Sequence, residues 1–471
     1  MPPARRRPSA AVCALLTLAI GWLAAPSEEL RADALERLNE PRLARVHAAV
    51  EAFEAARSLR EPSRPYREYR VNLHVHSAFS HDSRGELPAI VAAAKRAGTE
   101  VLMFTEHPAD HYDFVLDGHR GLHDGVLCIP GAETRGLLTY PTASMAGQES
   151  LEPADFVRRV RQQGGLSFLS HLEERLDWEL PGLTGCEIYN THADAKEETQ
   201  LFASLQNPLF LLRIAAMVNR YPQETFSALQ DDPRLYLDRW DQLCQIAPHT
   251  GVAANDAHEN VGVVIRLAAD GKVAVTDPLD DPLLTLDLAL VRPLLGVADE
   301  AEEGEELFRM QLDRYEFSLR HVGTHVLARE LTRPAIEEAL AAGRAFVGFD
   351  WIADSRGFDC HLAAADGRHE MGSVLSWSEG LQLRAAAPLP GHWRVIRTAN
   401  ASTRPTAASS AYLWQSPATI ASSSRWTSPV SHICGCWATR SISAHTERTA
   451  GQAACRISTG WRAVRPVPSL I

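Results

Sequence analysis

The sequence predicts an α/β barrel with metal-type residues around its mouth, and three observations carry that expectation. Short apolar runs alternate with stretches of helical periodicity, five of those runs stop at a histidine or a carboxylate, and the stretch from Tyr69 to Ser83 releases His74, His76, His81 and Asp82 within nine residues. Alternating strands and helices with such residues at the strand ends describe the rim where barrels of this class place their chemistry.

His74 and His76 are two apart, so on a regular strand both side chains project from one face and can chelate one ion. With 19 histidines in 471 residues, chance alone supplies roughly one such pair, so the motif needs partners elsewhere. They are present in EVLMFTEH (Glu106, His107), GVLCIPGAE (Glu133), GLSFLSH (His171) and GVAANDAH (Asp256, His258). Imidazole and carboxylate ligands suit Zn²⁺, Mn²⁺ or Fe, and a carboxylate can bridge two ions. On an extended segment neighbouring side chains point opposite ways, so of His81 and Asp82 only one should face the ions, and Asp82 is favoured.

The ordered set His74-x-His76-Ser77, Ser80-His81-Asp82-Ser83, Thr105-Glu106-His107, Gly131-Ala132-Glu133, Ser170-His171 and Asp256-x-His258 resembles the PHP family, the polymerase and histidinol phosphatase superfamily of metal-dependent phosphoesterases. The resemblance covers about Arg70 to Asn260. It implies a distorted (β/α)7-type barrel with His74, His76, Glu133 and Asp256 around one metal ion. Glu133 would bridge to a second ion, also held by His171, while Asp82, His107 and His258 would hold a third, so two or three divalent ions (Zn, Mn or Fe) are expected. The family carries a further histidine shortly after the glutamate, and here Arg135 to Pro141 has none. The segment GTHVLARELTRPAIEEALAAGRAFVGF is more similar to the extracytoplasmic branch that includes carbaryl-hydrolase-like enzymes.

The chemistry so implied is hydrolysis, with metal-bound hydroxide attacking a phosphoester on a small molecule. The same centre would serve a carbamate, amide or ester, and a catalytically inactive metal-binding module is the alternative from another class. Arg135 is the candidate phosphate clamp, Arg175 a surface ion-pair partner, and His192 in GCEIYNTHADA a candidate acid for the leaving group, with Glu187 and Asn190 at the same rim. Glu106 should point away from the ions if its strand stays regular. Asp110 to Asp124 reads as a polar loop whose His111, His119 and His123 are expected to be solvated.

The net charge of −12 argues against broad binding of nucleic acid or an anionic membrane. Arg5-Arg6-Arg7 followed by the apolar run to Ala25 has the layout of a signal peptide, too short for a comfortable membrane span, so an exported protein is expected. Cys128, Cys186, Cys244 and Cys360 are widely spaced, and no disulfide framework is expected.

The expected organisation is a signal peptide (1–25), a helical segment (26–66) broken near Pro41, the barrel (67–266), a helical extension (267–344) with Thr332 as a helix N-cap, and a small, truncated β-domain (345–397). From Thr398 the remaining 74 residues contain no lysine and one acidic residue, Glu447, yet hold four of the ten tryptophans. Folded surfaces use charge and disordered segments avoid tryptophan, so this tail (398–471) is expected to be a frameshift product or a disordered end.

Overall fold

The computed structural model describes residues 34–397 apart from 59–60, 149, 194–200, 202–203, 205–206, 232, 296–300, 376–380 and 391–394, together with the short strand 457–459. The expected signal peptide and nearly all of the expected aberrant tail lie outside the described residues. Helices α1 (Ala34–Arg37) and α2 (Glu40–Ala56) form the N-terminal helical segment. Pro41 falls in the first turn of α2, where its missing N–H has no helical partner to lose.

The barrel follows as β1 (Arg67–Val75), α3 (Leu87–Ala97), β2 (Val101–Phe104), the short β3 (Gly121–His123), β4 (Val126–Ile129), β5 (Ala132–Thr134), β6 (Leu137–Tyr140), α4 (Pro153–Gln162), β7 (Leu166–Leu169), β8 (Gly185–Asn190), α5 (Pro208–Arg220), α6 (Pro222–Ser227), α7 (Arg234–Ile246) and β9 (Thr250–Ala257). Strands β2 and β4 are unbroken apolar runs buried on both faces, as parallel strands under helices must be. Helix α3 ends at Gly98, whose φ of +77° turns its N–H back onto the carbonyls of Ala94 and Lys95.

The strands pair in the order β3-β4-β2-β1-β9-β8-β7-β6-β5, mostly parallel, with β6 antiparallel to both neighbours. A parallel bridge between Glu106 and Ala132 joins the end of β2 to β5, so the row closes into a ring. Tyr69, Val71, Leu73, Met103, Ile129, Tyr140, Phe168 and Val252 fill the inside, and Ile336, Ala339 and Leu340 belong to the same cluster. Each large apolar side chain so buried contributes about 1.5–3 kcal/mol, which makes this plug the floor on which the mouth residues stand.

The segment expected to be a helical extension holds strand and helix in nearly equal measure. Strands β10 (Gly262–Ala268), β11 (Lys272–Thr276), β12 (Pro282–Asp287) and β13 (Glu306–Gln311) form an antiparallel sheet in the order β12-β11-β10-β13. The signal was an Asp-Gly pair between apolar runs: Asp270 and Gly271 both have positive φ, and Lys272 N–H donates to Ala269 O at 3.2 Å, closing a tight hairpin. Helices α8 (Leu288–Leu295), α9 (Tyr315–His321) and α10 (Arg333–Ala341) account for the remainder, with β14 (Gly323–Ala328) and β15 (Ala345–Gly348) between and after them. Thr332 is the N-cap residue of α10 as expected, but its hydroxyl caps nothing and instead donates to Glu330.

Strand β14 pairs antiparallel with β1, and β15 with β14, so two strands from beyond residue 266 extend the barrel sheet. The expected β-sandwich is correspondingly smaller. It is a three-stranded sheet, β17 (Gly367–Glu370) and β18 (Gln382–Ala386) flanking β16 (Asp359–Ala364), and β19 (Val395–Arg397) pairs with β20 (Ile457–Thr459). Cys128, Cys186, Cys244 and Cys360 are buried free thiols. Among the described residues, no helix is long and apolar enough to cross a membrane.

A buried polar cluster fastens the C-terminal segment to β1. His325 on β14 is fully enclosed, with Nδ1 2.8 Å from Glu68 and Nε2 2.9 Å from both Asp350 and Ser355 Oγ. Burial pushes its imidazolium down, but Asp350 and Glu68 outweigh that and lift His325 to about 9. A histidine whose folded pKa is raised contributes stability that is fully present below its unfolded value of 6.5 and is lost as pH rises through about 9. In urea titrations the free-energy gap between wild type and His325→Gln should therefore be widest near pH 6 and narrow by on the order of 3 kcal/mol by about pH 10, whereas an unchanging gap would deny the ion pairs.

Candidate metal centre

The two histidines of β1 reach the mouth by a route the spacing alone did not foresee. Tyr69, Val71 and Leu73 face the barrel interior, so a regular strand would turn His74 and His76 outward. Instead the register slips between Leu73 and Val75, and His74 takes a φ of +65°. Val75 thereby joins the outer cluster under α3, and both imidazoles swing inward. His171 and Asp256, at the ends of β7 and β9, have φ of +45° and +46°. Non-glycine residues held in this region cost roughly 1–3 kcal/mol each and gather at functional sites.

All eight ligand-type residues expected from the sequence come together. His74 Nε2 lies 3.1 Å from Glu133 Oε2 and 3.0 Å from Asp256 Oδ1, and His76 Nε2 lies 3.7 and 3.4 Å from the same two oxygens. The other carboxylate oxygens turn to His171, whose Nε2 is 3.0 Å from Glu133 Oε1 and 3.6 Å from Asp256 Oδ2. On the far side, Asp82 Oδ2 is 3.3 Å from His107 Nε2 and 3.2 Å from His258 Nε2. His76 and His258 stack with ring centroids 3.9 Å apart, joining this second group to the first. Of the adjacent pair His81 and Asp82, it is Asp82 that enters the group, while His81 is exposed with its ring 5.0 Å from that of His107.

The direction of each imidazole is set by what holds its Nδ1. His74 Nδ1–H donates to Glu187 Oε1 at 2.7 Å, His171 Nδ1–H to Glu173 Oε1 at 3.0 Å, and His258 Nδ1–H to the Asp256 carbonyl at 2.9 Å. His76 Nδ1–H donates to Ser80 Oγ at 3.0 Å. In all four the Nε2 lone pair is consequently aimed at carboxylate oxygens. His74 Nε2, His76 Nε2, His258 Nε2, Asp82 Oδ1 and Asp256 Oδ1 are buried without a hydrogen-bond partner among the described residues. Ligand atoms about 2.1 Å from a shared ion stand about 3.0–3.4 Å apart, close to the separations observed here. A divalent ion fits this donor set, and the residues that could hold one fall into the groups His74, His76, Glu133, Asp256 and His76, Asp82, His107, His258.

Electrostatics agree with a site built for positive charge. Burial pushes Glu133 and Asp256 up, but His74 and the other imidazoles outweigh it and hold both well below the ordinary carboxylate range. Asp82 is likewise depressed, its desolvation overcome by hydrogen bonds from His107 and His258. Burial lowers His74, yet Asp256, Glu133 and Glu187 lift it well above its usual value; His171 rises to about 11, against burial, through Glu133 and Glu173. The side chains of His74 and His76 are fully enclosed while Asp82 and His107 are 26% and 28% exposed, so solvent reaches the centre on the Asp82 side.

Several residues stand differently from expectation. Glu187 is buried beneath His74 rather than at the rim, and it also accepts from the His171 backbone N–H at 2.7 Å. His192 is buried, with its ring 4.9 Å from His258, and its ligand atom clusters with those of Asp256 and His258. The Arg135 guanidinium lies over the Phe156 ring at 5.5 Å, and Arg175 donates to the Ser170 and His171 carbonyls at 3.2 Å. His111 is an exposed loop residue and His123 ends the short strand β3, but His119 is half-buried against Phe79 and Phe104 and hydrogen-bonds Ser77 Oγ at 3.1 Å, its basicity lowered to about 4 by burial and then by His123. Tyr315 on α9 went unnoticed in the sequence; its hydroxyl donates to the His76 carbonyl at 2.7 Å, reaching it across Gly85, where a Cβ would collide with the phenol. No spacing rule connects Tyr315 to a strand that lies more than 200 residues earlier.

Known proteins were compared with the whole chain. No curated protein matches it. A solved two-domain protein from Bacteroides vulgatus, described as containing a predicted PHP-like metal-dependent phosphoesterase, is 14% identical; the alignment covers 87% of this chain and 91% of that one, with a TM-score of 0.33. Residues 72–258, the span in which His74, His76, Asp82, His107, Glu133, His171, Asp256 and His258 all lie, match the family model of the PHP domain.

Proposed function

We propose that the protein is a metal-dependent hydrolase of the PHP type acting on a phosphoester of a small molecule. The observation that carries the proposal is the convergence of inward-facing Nε2 lone pairs on the Glu133 and Asp256 carboxylates, each of which offers one oxygen to the His74 group and the other to His171. His74, His76, Glu133 and Asp256 would hold one ion, and Asp82, His107 and His258 another, with His171 the further seat on the bridging carboxylates. Zn²⁺, Mn²⁺ and Fe suit this mixture of imidazole and carboxylate. Ions bound there would bring water towards ionisation near neutral pH and polarise a substrate oxygen.

The chain's own side chains supply the remainder. Glu187, Glu173 and Ser80 keep the ligand imidazoles in the tautomer that binds. His192, buried beside His258, would hand a proton to a departing oxygen at the edge of the centre. Substrate would enter past Asp82 and His107, where the centre meets solvent.

A second reading, hydrolysis of a carbamate, amide or carboxylic ester, is favoured by the two arginines. Arg175 is tied to backbone carbonyls and Arg135 lies against Phe156, so neither is turned to clamp a phosphate. The resemblance of the later segment to carbaryl-hydrolase-like enzymes points the same way. Export, expected from residues 5–25, is also proposed, and protein recovered outside the cytoplasm should begin near Pro26 by N-terminal sequencing.

Metal analysis of purified protein should find at least two transition-metal equivalents, and His74→Ala should remove most of them. Saturating Mn²⁺ or Zn²⁺ at about 100 times its dissociation constant should stabilise the wild type by about 2.7 kcal/mol, an effect absent in the variant. With metal supplied, a panel of phosphoesters and aryl carbamates should show turnover of phosphoesters inhibited by inorganic phosphate. Turnover of carbamates alone would select the second reading, and tight metal binding with no turnover of either would leave an inactive metal-binding module.

A further inference from the structure

We propose that Glu106 is a positioning residue that fixes the ligand tautomer of His76 and ties the 110–124 loop to the centre by dictating the direction of two serine hydroxyls. The inference rests on His76 being a metal ligand, but it concerns a residue that lies outside the ligand set. Glu106 is buried, 1% exposed, and its carboxylate accepts from Ser77 Oγ at 2.6 Å, Ser80 Oγ at 2.8 Å and Ser77 N–H at 3.0 Å.

A carboxylate can only accept, and a hydroxyl has one proton to give. Ser80 therefore spends its proton on Glu106 Oε2, and its lone pairs must accept from the His107 N–H at 3.0 Å and from His76 Nδ1 at 3.0 Å. That arrangement fixes the His76 proton on Nδ1 and leaves Nε2 free to bind. Ser77 spends its proton on Glu106 Oε1, so it accepts from Phe79 N–H at 3.3 Å and from His119 Nε2 at 3.1 Å, which places the His119 proton on Nε2. One buried carboxylate thus orders a chain from a loop histidine through two serines to a ligand imidazole. Were the carboxylate absent, Ser80 could turn its proton onto His76 Nδ1 and drive the ring into the tautomer whose Nε2 carries hydrogen and binds no metal.

Glutamine at this position makes a sharper test than removal of the side chain. The oxygen of its amide is required where two donors converge, Ser77 N–H and Ser80 O–H, so its NH₂ must face Ser77 Oγ. Ser80 then still donates to residue 106 and His76 keeps its tautomer, whereas Ser77 is left with a proton for His119 Nε2, and His119 must carry its own on Nδ1. Glu106→Ala frees both serines.

The experiment measures Zn²⁺ affinity by competition with a chromophoric chelator and imidazole tautomers by ¹⁵N NMR of the metal-free full chain. Glu106→Ala should weaken binding about 10–100-fold, the cost usual for losing a partner that orients a ligand. Glu106→Gln should stay within about 5-fold of wild type while His119 changes from the Nε2–H to the Nδ1–H pattern and His76 does not change. Wild-type affinity in Glu106→Ala, an unchanged His119 pattern in Glu106→Gln, or Glu106→Gln binding as weakly as Glu106→Ala would overturn the proposal, the last because charge rather than hydrogen-bond direction would then govern. Should Glu106→Ala fail to fold, the glutamine variant still decides the matter. A wild type that binds no Zn²⁺ would instead overturn the metal-centre reading, while the His119 pattern would continue to test the hydrogen-bond chain.

Discussion

Everything at the mouth of this barrel depends on where four imidazoles keep their single proton. His74, His76, His171 and His258 each give Nδ1–H to a fixed acceptor, and each is therefore obliged to show a lone pair to the carboxylates of Asp82, Glu133 or Asp256. Lone pair against anion is unfavourable in a buried site unless a positive charge intervenes, either a proton or a cation. The lifted basicity of His74 and His171 shows the proton's side of that competition. Ligands of this kind release protons when metal binds, so the same geometry that raises His74 and His171 makes metal affinity dependent on pH.

The backbone contributes to the same end. At β1 a regular pleat would have wasted both histidines on the outer face, and the slip at Leu73/Val75 with His74 at positive φ converts an apolar lining into a polar rim within one residue. The apolar cluster below, from Tyr69 to Leu73 and around the ring to Val252, is what makes such strain tolerable, because it holds the strands whether or not their last residues are comfortable. Helix α9 adds a brace from outside through Tyr315 and the His76 carbonyl.

The sequence disclosed much of this centre because ligand chemistry is carried by residue type and position at strand ends. His74, Glu133, His171 and Asp256 could be singled out without knowing how far apart they lie in space. What it concealed was orientation. The outward default of β1, the inward turn of Glu187 under His74 and the reach of Tyr315 all depend on packing between segments far apart in the chain. The 267–344 stretch holds helices as expected but also strands that escaped notice for a different reason: runs such as KVAVT and PLLTLD are short enough to suit helix or strand, and the Asp270-Gly271 turn before the first of them was the decisive but overlooked signal. The arginines illustrate the limit in the other direction, since proximity in sequence to Glu133 and His171 said nothing of the ring or carbonyls that would occupy them.

The ring of strands closes at a narrow seam, where Glu106 N–H meets the Gly131 carbonyl and Glu133 N–H meets the Glu106 carbonyl, each at 3.2 Å. His107 and Glu133, on opposite lips of that seam, belong to two neighbouring ligand groups that share His76. A pair of cations held by those groups would work as a rivet across this stave joint of the barrel. Its loss would be felt first as local opening there, with amide protons of residues 106 and 133 exchanging sooner than those of the apolar floor. Mechanical closure of the cask and assembly of the reactive mouth are thus one and the same event.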